Sequence, residues 1–411
     1  MRLFLHTNPF ILTLRPNKHT ATMKTKRIPL LLQIIIAIAL GVICGFFFPE
    51  WLSRIFATIN SVFSNLLGFI IPLLILGLIA PGIADVGKNA GRLLAGTAAI
   101  AYLFTIFSGL FTYGVCEQLY PMLIGGESLS SIEEGATAAA PYFSIEMPPL
   151  FGVMSALIAS FLLGIGMTAV KGTALKNVMD DFKSIIVLSI EKIIIPFLPI
   201  YIFGIFLSMT QSGQIAAVFS VFIKIIALIF AITIAILLLQ YIIAGAVSGK
   251  NPLKMLKNMM PAYFTALGTQ SSAATIPVTL AQTKKNGIRE EIADFVIPLC
   301  ATIHLSGSTL KITACAIAIM MLGGIEYSFG TMLYFICMLG ITMVAAPGVP
   351  GGAIMASLGV LESILGFDQE ALGLMIALYI AMDSFGTATN VTGDCAVAAI
   401  IDKFDKKRTA A

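Results

Sequence analysis

Asp383 stands in a stretch of otherwise apolar and small residues. An ionised carboxylate in such surroundings needs a cationic partner, either a bound ligand or another side chain. A ligand's amino group would serve, and so would Lys311, which is itself set among apolar residues. Asn390 and Asp394 are spaced four apart, so a helix puts an amide oxygen and a carboxylate on one face. That pair suits a hard cation such as Na+; it equally suits a polar contact between helices. The run Gln270-Ser271-Ser272-Ala273-Ala274-Thr275-Ile276-Pro277 brings hydroxyls together with a helix break. With Thr387, its free N–H groups and hydroxyls can cradle a carboxylate at the positive ends of short helices. The same composition also fits a small-residue packing seam. His304 reads either as a proton-exchanging group or as a neutral, hydrogen-bonded filler.

The elements that hold these residues follow from composition. The chain has 411 residues, 58% hydrophobic and 11% charged, too apolar for a water-soluble domain. Its net charge of +4 comes from basic loops, and no nucleic-acid patch is indicated. The cysteines (Cys44, Cys116, Cys300, Cys315, Cys337, Cys395) all lie in apolar stretches without a metal-binding or disulfide pattern. No zinc-protease, nucleophile-elbow or nucleotide-binding motif is present, which argues against an enzyme or an ATP-driven pump. Apolar spans are read at 29–48, 55–84, 93–124, 149–170, 183–209 and 215–247. Beyond them, 253–287 and 328–368 are interrupted by Gly, Pro and Ser, and each precedes a longer span, 289–322 and 370–402. A doubly broken apolar segment cannot cross lipid as one helix, because its freed backbone groups need protein or water. A pair of such segments predicts re-entrant hairpins in an inverted-repeat transporter. Basic loops alternate with acidic ones: Lys88, Arg92, Lys171, Lys176, Lys250 and Lys284 mark one side. Glu127, Glu146, Glu326 and Asp368 mark the other. The positive side is cytoplasmic, which places both termini inside. Lys224 and the Glu191-Lys192 pair are read as structural. Met23 offers an alternative start of translation, so no function is placed before it.

At this point a family resemblance becomes specific. The run Gln270–Thr279 resembles the first hairpin tip of the dicarboxylate/amino acid:cation symporter family, which includes the glutamate transporters. Phe295–His304 resembles the start of its span seven, Pro347–Met355 its second hairpin tip, and Asp383 through Asp394 its span eight. Tyr102-Leu103-Phe104-Thr105 resembles a motif of span three. The resemblance implies an all-α polytopic membrane protein with eight transmembrane spans and two re-entrant helical hairpins, working as an elevator in the plasma (inner) membrane, as a homotrimer. It implies an N-terminal arm at 1–28, scaffold spans at 29–92 and 149–209, and transport-domain spans at 93–124 and 215–247. The transport core is then 253–402 and the cytoplasmic tail 403–411. Substrate contacts are implied at Ser271, Ser272, Ser308, Val349 and Gly352, and at Asp383, Gly386, Thr387 and Asn390. Asp383 would hold the substrate amino group. One Na+ would sit against Asn390, Asp394 and the backbone near Cys300. A second would use carbonyls of Thr302, Met343, Val344 and Ala346, and Tyr102 and Thr105 are left from a third set. No cofactor is implied beyond Na+ as coupling ion.

The departures matter as much. Gly386 stands where acidic-substrate members carry an arginine, and Gln270 stands where others carry one. The family's Asn-Met-Asp-Gly-Thr is here His304-Leu305-Ser306-Gly307-Ser308. Lys311 then has three readings: it replaces the arginine, it stands in for a transported cation through protonation, or it pairs with Asp383 or Asp394. The favoured function is symport of a small neutral amino acid such as serine, threonine or alanine with Na+, and coupling to H+ through Lys311 or His304 is left open. Symport of an acidic amino acid or dicarboxylate through Lys311 is the alternative, and an uncoupled channel is the alternative of another class.

Overall fold

The computed structural model describes residues 29–88, 92–124, 139–213, 215–346 and 350–409. Among the described residues the chain is helical, without strands. It begins α1 (Leu30–Gly45), α2 (Glu50–Lys88), α3 (Arg92–Ile124) and α4 (Val153–Ala169). α5 (Ala174–Ser189) runs through one π turn at Ile190–Ile194 into α6 (Ile195–Gln211). Pro196 lacks an N–H and crowds the preceding turn, and the wider turn accommodates it without ending the helix. α7 (Ile215–Ser248) closes this first part.

The second part repeats one unit. Two short helices form a hairpin, and a long span broken near its middle follows. The first unit is α8 (Pro252–Thr269), α9 (Ser272–Lys285), α10 (Glu290–Ile303) and α11 (Ser306–Gly323). The second is α12 (Phe329–Ala345), α13 (Gly352–Leu365), α14 (Gln369–Ala381) and α15 (Asp383–Thr409). Local chemistry sets the hairpin tips. Gln270 ends α8 in the left-handed conformation at φ 54°, and Ser271 starts α9 by accepting the Ala274 N–H on its hydroxyl (3.3 Å). At the other tip Gly351 takes φ 74°, which a glycine adopts without strain, directly before α13.

The expected continuous spans 289–322 and 370–402 are each two helices. The first breaks at His304-Leu305, and the second bends by 62° at Met382. Small polar residues follow each break, Ser306-Gly307-Ser308 and Asp383-Ser384, types that favour helix starts over helix interiors. The boundaries of the first six spans fall within a few residues of expectation, except that α5 starts at Ala174, ahead of the expected 183.

Among the described residues five helical stretches, α2, α3, α5 with α6, α7 and α10 with α11, are long and apolar enough to cross a membrane, or six if α14 and α15 form one span. The expected eight include α1 and α4, apolar helices of 16 and 17 residues. Large apolar side chains such as Ile36, Leu162, Ile185, Ile223 and Phe264 face outward, a surface suited to lipid. α2 packs on α4, α5 and α6, and α1 packs on α6. α15 packs on α7, α8 and α10, and α11 packs on α3. α12 touches both groups, through α2 and α3.

Candidate substrate and cation site

The head of α15 lies where both hairpin tips meet. The Asp383 carboxylate accepts the Gly351 N–H of the second tip through Oδ2 (2.9 Å). On the neighbouring residue, the Gln270 side-chain amide of the first tip donates to the Ser384 hydroxyl (3.0 Å). Between the tips is a narrow cavity of about 30 Å³. It is lined by Ser272, Thr302, Ser308, Asp383, Thr387 and Asn390, together with Gln270 and Tyr379. Hydroxyl groups, amides and one carboxylate thus converge at the break points of helices, where N–H groups and carbonyls are exposed.

Lys311 approaches Asp383 from outside the cavity lining. It is 1% exposed, and its ammonium lies 3.5 Å from Asp383 Oδ1. It donates to the Met382 carbonyl (3.2 Å) at the bend, and sits 3.9 Å from the centre of the Tyr379 ring. The room for it comes from Gly386: a Cβ there would collide with Lys311 Cε and Nζ. Tyr379 donates its hydroxyl to Ser308 (2.9 Å), which also accepts from the Asn390 amide (3.2 Å). The Asn390 amide oxygen accepts the Gly307 N–H (2.7 Å), one of the donors freed by the α10–α11 break.

A second cluster lies deeper. His304 Nδ1 and Asp394 Oδ1 are 2.9 Å apart, with both side chains essentially inaccessible. Gln240 on α7 donates to the Ser306 hydroxyl (3.1 Å), and the Ser108 hydroxyl on α3 donates to the Ser306 carbonyl (2.9 Å). His304 Nε2 and Gln240 Oε1 have no hydrogen-bond partner among the described residues. Polar atoms left this way in the interior are costly unless something bridges or fills the site.

The profile of the sodium:dicarboxylate symporter family matches residues 30–404. The chain belongs to that family. It is 24% identical over 395 residues to the serine/threonine transporter SstT of Acinetobacter baylyi, covering 92% of this chain and 98% of the relative. To the protein of the same name from Streptococcus thermophilus it is 24% identical over 405 residues, covering 93% and 98%. To that of Acinetobacter baumannii it is 27% identical over 398 residues, covering 92% and 97%. As a family member with this many apolar helices, the protein is a multi-pass membrane transporter and not an enzyme.

The symporter fold brings together only part of the residues expected at its site. Of the residues expected to contact substrate, Ser272, Ser308, Asp383, Thr387 and Asn390 line the cavity. Ser271 spends its hydroxyl on capping α9, and Gly352 is buried in the first turn of α13. Val349 lies outside the described residues. Gly386 does not line the cavity, and its contribution is the space that Lys311 fills.

The cation sets are more dispersed. Both side-chain oxygens expected to hold the first Na+ are engaged by N–H donors, Asn390 by Gly307 and Asp394 by His304 if that nitrogen carries the proton. Cys300 is buried nearby, its carbonyl accepting the His304 N–H (2.9 Å). Of the carbonyl set, Thr302 and Ala346 reach the cavity. The Met343 carbonyl accepts the Ala346 N–H (3.2 Å), and Val344 lines a different cavity between α2, α3, α4 and α12. Tyr102 lines that same cavity and donates to the Cys337 carbonyl (3.1 Å). Thr105 donates to Ala101 in its own helix (2.8 Å). The expected Tyr102 side chain is therefore engaged away from the Asp394 cluster.

Sequence reasoning missed four contributors. Gly351 and Ser384 act through bonds between tip and helix head that no local pattern encodes. Tyr379 and Gln240 carried a usable signal, a polar group inside an otherwise apolar span.

Proposed function

We propose that this protein is a secondary active symporter for a small neutral amino acid, with serine, threonine and alanine as the favoured substrates. The observation that carries the reading is Asp383: a carboxylate facing the cavity between two hairpin tips, suited to an α-amino group. The relatives' name, serine/threonine transporter, points the same way. The substrate carboxylate would lie against the tip N–H groups and the hydroxyls of Ser272 and Thr387. Lys311 is engaged with Asp383, Met382 and Tyr379 away from the cavity lining, which disfavours it as a receptor for an acidic side chain. Without a guanidinium, a substrate with a second carboxylate loses a charge-assisted contact, a penalty of about 2 kcal/mol or more.

Na+ is the proposed coupling ion, on the family's name and on the donor set of Asp394, Asn390 and nearby carbonyls. Because His304 already faces Asp394, a proton on that pair is the proposed substitute for one cation. Spans one, two, four and five act as a trimeric scaffold. The remaining helices carry the site across the bilayer, with both hairpins re-entrant and both termini cytoplasmic. The test is competition against labelled serine in proteoliposomes. Unlabelled serine or alanine is expected to compete at least tenfold better than aspartate, and Asp383→Asn is expected to abolish binding. Stronger competition by aspartate transfers the acidic-substrate role to Lys311. Serine flux that never exceeds its equilibrium distribution under a Na+ gradient makes the protein a channel.

A further inference from the structure

We infer that Lys311 is a counter-ion tethered inside the carrier, which neutralises Asp383 whenever no substrate ammonium is bound and is displaced by that ammonium when substrate enters. The inference rests on the amino acid reading given above.

Three observations carry it. First, Asp383 lines the cavity while Lys311 does not, and the Lys311 ammonium lies 3.5 Å from Asp383 Oδ1. A substrate in the cavity and the lysine behind it can therefore compete for one carboxylate. Second, Lys311 has partners that survive the loss of Asp383. The Met382 carbonyl at 3.2 Å and the Tyr379 ring at 3.9 Å can both hold an ammonium. A small retreat leaves the charge hydrogen-bonded and not stranded in an apolar core. Third, the space is built for it. Gly386 supplies the volume that the ammonium end occupies, since a Cβ at that position collides with Lys311 Cε and Nζ.

Charge counting gives the consequence. A carrier that releases its amino acid on one side must return with Asp383 still buried, here 6% exposed. A buried carboxylate stripped of its partner is strongly unfavourable. With Lys311 on Asp383 the pair is neutral on the return leg. A zwitterionic substrate adds no net charge, so the loaded leg is neutral at this site as well. In this scheme Lys311 balances charge by moving between partners, unlike a residue that couples transport by releasing a proton.

The prediction is a split between two fluxes. Net uptake into empty vesicles requires the substrate-free return, and exchange of labelled for unlabelled serine does not. In Lys311→Met the ratio of net uptake to exchange falls about tenfold or more, while apparent serine affinity rises because the internal competitor is gone. Gly386→Ala keeps the lysine but takes its space, and is expected to lower the same ratio. A lysine with only a structural role lowers both fluxes together and leaves the ratio unchanged. If Lys311→Met does not fold, Gly386→Ala decides alone: an unchanged ratio overturns the inference. Failure of the unaltered protein to exchange any amino acid sinks the amino acid reading and this inference with it. Exchange in the unaltered protein with an unchanged ratio in the variants sinks this inference alone.

Discussion

At the scale of single residues, Gly393 gives the sharpest handle on the deeper cluster. A Cβ there would come within 2.6 Å of both Gln240 Oε1 and His304 Cε1. Gly393→Ala should push the imidazole off Asp394 while leaving the cavity-lining side chains in place. The expected result is a changed dependence of uptake on Na+ and pH with serine affinity altered far less. Equal loss of both would mean the cluster only supports the substrate site. Asp394→Asn is the companion. It should remove most of the Na+ dependence, and full dependence retained would move the cation elsewhere. Much at this scale was legible. A carboxylate and a lysine buried in apolar sequence demand one another, and pairing was among the readings open for Lys311. The His304–Asp394 contact was not legible, because it joins the α10–α11 break to α15 through a fold that no spacing within either segment encodes.

At the scale of elements, the broken helices control what the site can offer. Each break exposes N–H and carbonyl groups, and a break is tolerated only where those groups find partners. Gly307 finds Asn390, and its lack of a side chain also lets α11 and α15 approach closely. A Cβ at Gly307 would lie 2.5 Å from the Gly386 carbonyl oxygen and 2.6 Å from Thr389 Cβ. Backbone cannot swing aside, so Gly307→Ala should lower stability by about 1–3 kcal/mol, read as a fall in melting temperature in detergent. Gly114→Ala in α3 is the control, since a Cβ there meets nothing within 4 Å; it should melt as the unaltered protein or slightly higher. Equal melting of both variants would contradict the close packing of α11 on α15. The hairpins were readable because Pro, Gly and Ser interrupt them locally. The breaks at His304-Leu305 and Met382 were not, because the small polar residues after them were read as site residues within continuous spans and the stabilising partners lie on other helices.

At the scale of the whole molecule, the question is whether one group of helices slides against the other. Gly82 on α2 faces Ala345 on α12, and a Cβ at Gly82 would lie 3.1 Å from the Ala345 Cβ. That is close enough for a cysteine pair to bridge after slight adjustment. In a background without native cysteines, Gly82→Cys with Ala345→Cys should cross-link on oxidation, lose transport and regain it on reduction, while still binding serine. Full transport by the cross-linked protein would show that α12 does not move along α2. A last consequence follows from the tips themselves. Gly351 and Gln270 belong to different hairpins yet rest on adjacent residues of one helix, Asp383 and Ser384. Each contact is a single hydrogen bond, worth about 1 kcal/mol for the neutral Gln270–Ser384 pair and about 1.5–3 kcal/mol for the bond to the Asp383 carboxylate. Any tilt of the α15 head therefore reaches both tips at once, since the two hairpins share one seat.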